Sequence, residues 1–217
     1  EANRIAREGG EERFAVAAAE QTAGRGREGR PFLSLRDRGV YLSFVCEAKG
    51  MFTRFGVLSA LAVRALLEEY FELDARFKWP NDVVVQGKKI CGILPESIVA
   101  SDGRRKLVTG VGINLFEREE EFGGLSDIAT SAVLCCKNDA LKHEFEGSRR
   151  AFIMDASVRL TELLSRLADL EARGEDLIGE YKDCLVTLGR KVRFAAEGGG
   201  ASEGVAEDVA PDGALLV

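Results

Sequence analysis

Between Gly24 and Arg30 three glycines alternate with three arginines, in the run EQTAGRGREGRP. Glycine lets a backbone turn its N–H groups toward a ligand, and arginine presents a planar fork of donors that matches carboxylate and phosphate oxygens. Three guanidinium groups without carboxylates at matching positions repel one another until an anion arrives. The pattern therefore reads as a clamp for a phosphate or a carboxylate. On its own it is equally compatible with a solvated Arg/Gly surface turn, because short Gly-rich patterns recur by chance. It is not a P-loop, since no Lys-Ser or Lys-Thr follows the last glycine. GRGREG has the spacing of a dinucleotide fingerprint, but it is charged throughout and lacks the acidic residue such a unit requires.

A second group sits in FKWPNDVVV. Lys78 ends an apolar strand, and Pro80 keeps the residue before it extended, which aims the ammonium out of the end of the sheet. Asn81 and Asp82 add polar groups at the same turn. The plain alternative is a surface lysine whose stem lies along apolar residues. A third group, GVGIN, sets small residues on a strand so that a flat ring or a ribose could approach the backbone, with the Asn114 amide at its end. Close packing of that strand on a helix explains it equally well. His143, the sole histidine, lies in a polar helical stretch and reads as a surface residue rather than a base.

The elements that must position these groups follow from periodicity. NRIAREGG reads as a short helix that Asn3 can cap, followed by a strand in RFAVAAAEQ. GVYLSFVCE is a strand, and residues 53–71 repeat apolar side chains at helical spacing, as a mostly buried helix does. The segment from Ala75 to Ala100 reads as a short strand, a Pro-Asn-Asp turn and a hairpin closing at Gln86–Lys88. KLVTGVGINL supplies another strand, and two packing helices follow, one from about Ser148 and one after Glu175. The tail from about Thr187–Gly189 alternates short strands with Gly-rich turns, as a small β-barrel does, with a hairpin tip at 198–200.

The 217 residues suffice for one good core plus a small appendage. With 46% hydrophobic and 30% charged residues and no long apolar run, the chain reads as globular rather than membrane-spanning. A net charge of −6 argues against nucleic-acid binding by the whole surface, so the basic loop is a local feature. Five cysteines, odd in number and without a CxxC pair, suggest neither a disulfide framework nor a zinc site and fit a reducing cytoplasm.

Taken in order, GRGREGR, KWPNDVVVQGKKICGIL and GVGIN resemble the biotin protein ligases, in the form without an N-terminal repressor domain. The resemblance covers nearly the whole chain. It implies an α+β fold, a mixed β-sheet with helices packed on one side, of the class II synthetase or biotin ligase type, in residues 1–187. A small C-terminal SH3-like β-barrel, cut short at Val217, occupies 188–217. It implies formation of biotinyl-5′-AMP and diphosphate from biotin and ATP with Mg2+, then transfer to a lysine of a biotin carboxyl carrier protein. Lys78 and Arg27 are the catalytic residues so implied. Gln21, Arg25, Gly26, Arg27 and Lys78 contact biotin or the adenylate, while Gly24, Arg30, Asn81 and Asn114 lie on the nucleotide side. The metal ligands stay unassigned. DNA and membrane partners are not expected, and a homodimer is left open. Two departures stand out. Phe32 replaces the usual tryptophan, losing an indole donor. The family's Ser-Thr-Asn biotin contact is expected just upstream of Glu1.

Overall fold

A computed structural model describes residues 1–47, 52–138, 147–195 and 199–217, with Phe52 and Thr53 described by their backbone only. Helix α1 (Ala2–Glu8) leads into strand β1 (Phe14–Ala18), and the arginine loop separates β1 from β2 (Gly39–Glu47). Helix α2 (Phe52–Phe71) is followed by β3 (Arg76–Lys78), β4 (Asp82–Val85), β5 (Lys88–Val99) and β6 (Arg105–Asn114). After a short α3 (Ala132–Cys135) come α4 (Arg149–Ala172) and α5 (Ile178–Asp183), then β7 (Lys191–Ala195), β8 (Ala201–Val205), β9 (Asp208–Val209) and β10 (Leu215–Leu216).

The first six strands form one antiparallel sheet in the order β1-β2-β6-β5-β4-β3. Alternation along each strand sends one set of side chains inward. Val40, Phe44, Phe77, Val83, Cys91, Ile93, Val111 and Ile113 join Leu58, Leu66 and Leu67 of α2 and Leu160 and Leu164 of α4 in the main core. The expected single-sided packing holds for these long helices. α1 is the exception, since it covers one end of the opposite, outer face, where Ala2 and Ala6 meet Val45, Val108 and Ile98. Asn3 does not cap α1. Glu1 holds that position, and the Asn3 amide inside the helix donates instead to Glu96 at 2.9 Å.

The turn at Gln86–Gly87 has positive φ at both residues (52° and 81°), the backbone that a two-residue hairpin between right-twisted strands requires. In the C-terminal segment the structure shows two separate two-stranded sheets, β7 with β8 and β9 with β10, where one barrel was expected. Gly199 and Gly200, both at positive φ, precede β8, while Gly198 lies outside the described residues. The segment is tied to the main sheet by polar contacts. Trp79 donates its indole N–H to the Gly213 carbonyl at 3.0 Å and its backbone N–H to Thr187 Oγ1 at 2.9 Å. The buried Arg54 guanidinium joins Glu171 of α4 to the Pro211 carbonyl.

Candidate active site

The site is built on a single row of register partners that crosses the outer face of the sheet. Lys78, Asp82, Gly92, Gly112, Tyr41 and Ala18 pair in sequence, one residue from each strand. Two adjacent members lack side chains, so the middle of the row is a shallow floor of exposed backbone. Phe32 rests on it. A Cβ placed at Gly112 would lie 2.5 and 2.6 Å from Cε1 and Cζ of the Phe32 ring, and one placed at Gly92 would lie 3.3 Å from Cε2. Gly112 admits no side chain while the ring is there, and at Gly92 a methyl group would require its neighbours to give by a few tenths of an ångström.

Phe32 is held by the arginine loop, which folds back on itself as a narrow, hydrogen-bonded arch. Gln21 N–H donates to the Ser34 carbonyl (3.2 Å), Phe32 N–H to the Gly24 carbonyl (2.9 Å) and Gly26 N–H to the Arg30 carbonyl (2.7 Å). Gly24 is needed because a Cβ there would meet the Phe32 carbonyl at 2.5 Å and Ser34 Oγ at 2.8 Å. The tip turns at Glu28 and Gly29, both at positive φ. Of the three arginines, Arg30 pairs with Glu28 at 3.0 Å, so one guanidinium is already matched by a carboxylate, contrary to the sequence reading. Arg27 reaches across to Asn81 Oδ1 at 3.5 Å, a long contact that links the loop to the turn after β3. Arg25 and Gln21 are exposed on the loop.

A lysine that sequence reasoning did not single out completes the floor. Lys89 Nζ sits 2.6 Å from Asp82 Oδ1 and 3.1 Å from the position a Gly92 Cβ would take. Strict alternation from Gly92 would turn Lys89 into the core. The register shift at Val83/Val84 prevents this, because Ile90 is passed over between the pairs Val83–Cys91 and Val84–Lys89. Such a bulge re-aims the side chains that precede it. Lys89 then shares the outer face, while both Ile90 and Cys91 are buried.

Lys78 stands in the same row but at its edge. Two strand spacings, about 10 Å, separate it from Gly92. It is exposed and lines a cavity of about 770 Å³ beyond the sheet edge, together with Arg76, Lys137 and Arg190. Asn114 is buried at the end of β6, its amide N–H donated to the Thr130 carbonyl at 3.0 Å. The structure thus brings together Gly24, Gly26, Arg27, Phe32, Asn81, Asp82 and Lys89, with Lys78 and Asn114 at the periphery. His143 lies outside the described residues. All five cysteines are buried and unbridged. Burial pushes the Cys91 thiol well above its ordinary range and Cys46 up to about 11, so neither is a nucleophile at neutral pH.

The antiparallel sheet of this α+β protein carries a glycine floor covered by an Arg/Gly arch, and comparison with known proteins identifies the class to which it belongs. The model of the biotin/lipoate A/B protein ligase family matches residues 3–114, more than half of the chain. The chain belongs to that family. It is 36% identical over 134 residues to the bifunctional ligase/repressor BirA of Bacillus subtilis, an alignment covering 60% of this chain and 41% of that protein. It is 29% identical over 213 residues to the biotin–[acetyl-CoA-carboxylase] ligase of Mycobacterium tuberculosis, covering 93% and 72%. A biotin protein ligase of Aquifex aeolicus, solved with biotin and ATP, superposes with a TM-score of 0.73 at 27% identity over 99% of this chain and 86% of that one. The chain spans about two fifths of the length of the Bacillus relative.

Proposed function

We propose that the chain is a biotin protein ligase. It joins biotin to ATP to give biotinyl-5′-AMP and diphosphate, then passes the biotinyl group to a lysine of a biotin carboxyl carrier protein. The observation that carries this reading is the arch seated on the glycine floor, with the cations of Arg27 and Lys89 at one end. The Phe32 ring lies directly on the bare backbone of Gly92 and Gly112, so a flat bicyclic ligand reaches this floor when the ring lifts with the arch, and its carboxylate tail then emerges beside these cations. The biotin- and ATP-bound Aquifex relative supports the choice of ligand.

The chemistry is limited by charge. The biotin carboxylate oxygen attacks the α-phosphorus while the bond to the diphosphate oxygen breaks, so two anions must meet and a third must leave. A unit charge pair at about 4 Å is worth about 1 kcal/mol in water but about 4 kcal/mol at an effective dielectric near 20. Lys89 and Arg27 therefore act once the arch excludes water. In the second step the carrier amine attacks the acyl carbon and AMP departs, so the enzyme supplies no covalent nucleophile.

The remaining assignments are proposed with the same geometry in view. Gln21, Arg25, Gly26 and Arg27 face biotin and its adenylate, and Gly24, Arg30, Asn81 and Asn114 lie toward the nucleotide. Lys78 serves at the rim of the row rather than at its centre, and the geometry supports Lys89 as the cation nearest the reacting carboxylate. No group of three His, Cys, Asp or Glu side chains converges among the described residues, so Mg2+ is proposed only as the ion that ATP brings, and no step is routed through it. No helix among the described residues is long and apolar enough to cross a membrane. Because the family also embraces lipoate ligases, labelled biotin and labelled lipoate should be titrated in parallel. Saturable binding of biotin with at least a hundredfold weaker lipoate binding is expected, and the reverse order would replace the reading.

A further inference from the structure

Tyr41, the β2 member of the row, lies beside Gly112 and is buried. Its hydroxyl faces two oxygens, the Leu35 carbonyl at 3.0 Å and Glu117 Oε1 at 3.2 Å. A phenol has one proton to give, so both contacts are satisfied only if one partner donates to it, and a carbonyl cannot. Glu117 can, when it holds a proton. The side chain is completely buried after the end of β6, and its second oxygen, Oε2, has no hydrogen-bond partner. An ionised carboxylate so placed would leave charge desolvated.

We infer that Glu117 is a positioning residue that holds the arginine arch shut through a directed chain, Glu117 O–H to Tyr41 Oη and Tyr41 O–H to the Leu35 carbonyl. Leu35 lies three residues after Phe32, in the strand-like return whose Ser34 carbonyl also receives Gln21 N–H. When Glu117 loses its proton, the phenol turns to the carboxylate, and the Leu35 carbonyl keeps only the longer contact from the Arg38 N–H at 3.3 Å. The arch then loosens, and Phe32 with it.

The charges around Glu117 agree with this role. Arg38, the only cation among the groups that shift it, spends Nε and NH2 on Glu121 Oε1 at 3.0 and 2.7 Å; its charge and the Glu117 backbone N–H favour the ionised carboxyl, while burial and Glu121 oppose it and prevail. Ser131, from the start of α3, donates to the Glu117 backbone carbonyl and not to its carboxyl. Burial, the largest cause, raises the Glu117 carboxyl to about 8. The Tyr41 phenol is raised further, by burial and by Glu117, and keeps its proton throughout.

The inference rests on the arch closing over the ligand, but its test needs no ligand. Amide protection of Gln21, Phe32 and Arg38 should be measured by hydrogen exchange in the free protein from pH 6 to pH 9.5, after correction for intrinsic exchange. In the wild type, protection should fall about tenfold as pH rises. Glu117→Gln, whose amide donates at every pH, should stay protected throughout, and Tyr41→Phe should be loose and unchanging throughout. Parallel falls in the wild type and Glu117→Gln overturn the inference. Should Glu117→Gln not fold, a wild type that matches Tyr41→Phe at low pH overturns it equally. Biotin titration across the same range then separates the two readings. A pH-dependent arch without biotin binding would leave the latch standing and remove the ligand.

Discussion

Lys89 and Asp82 form an ion pair 2.6 Å long on the outer face of the sheet, and they meet only because β5 bulges at Ile90. The pair is partly screened from solvent. Asp82 fixes the ammonium beside Gly92, where the ring edge of Phe32 also lies. A cation held in place before the ligand arrives costs little reorganisation when charge develops.

Lys89→Ala should therefore lower the rate of biotinyl-adenylate formation by at least roughly a hundredfold, equal to about 2.7 kcal/mol of barrier. Lys78→Ala, at the edge of the row, should cost less than about tenfold. Single-turnover kinetics of the two variants make the comparison, and a larger loss at Lys78 would restore the assignment that the family motif suggests.

Gly112→Ala tests the floor. The added methyl cannot coexist with the Phe32 ring where it now lies, and forced overpacking of this kind costs roughly 1–3 kcal/mol. Calorimetry should show biotin binding weakened at least tenfold in a protein that still melts cooperatively. Unchanged affinity would mean that ligand and ring do not use this floor.

Arg27→Gly removes the contact with Asn81 that links the arch to the turn after β3, and with it a guanidinium of the loop. The activated acid should then escape, and bystander proteins in the same tube should become biotinylated. Labelling confined to the carrier would show that retention does not depend on Arg27.

Much of this architecture is legible in the chain. β2 begins and ends where its β-branched and aromatic run does, at Gly39 and Glu47, and the hairpin closes at Gln86–Gly87, where the glycine takes one of the turn's two positive φ angles without steric cost. Gly24, Gly26 and Arg27 of the loop do meet Asn81 of the turn and Gly112 of β6 through Phe32 and Arg27, while Lys78 and Asn114 stay at the periphery. Lys89 was not legible, because a bulge changes which face a residue takes without leaving a mark in composition. The adjacent lysines Lys88 and Lys89 look equivalent, yet Lys88 Nζ donates to the Ser126 carbonyl while Lys89 enters the site. Asn3 misled for a related reason. A good capping residue caps only where the backbone begins its turn, and here that is Glu1.

Glu117 also predicts a pH dependence of stability. Its folded-state carboxyl is raised from 4.5 to about 8, so between those values the unfolded chain has lost a proton that the native protein keeps. Stability should therefore fall as pH rises through that window, by up to about 1.4 kcal/mol per pH unit from this group. Urea midpoints at pH 5.5 and 7.5 should show the fall in the wild type and a clearly smaller one in Glu117→Gln. Parallel shifts would mean that Glu117 is ionised in the native state.

The central claim is that this slot joins biotin to the α-phosphate of ATP. Its most direct test is the release of diphosphate from ATP, measured with and without biotin, before any carrier is added. The account predicts a burst of about one diphosphate per enzyme that depends on biotin, with biotinyl-5′-AMP retained on the protein. Diphosphate release that ignores biotin, or saturable biotin binding with no diphosphate released, would contradict it.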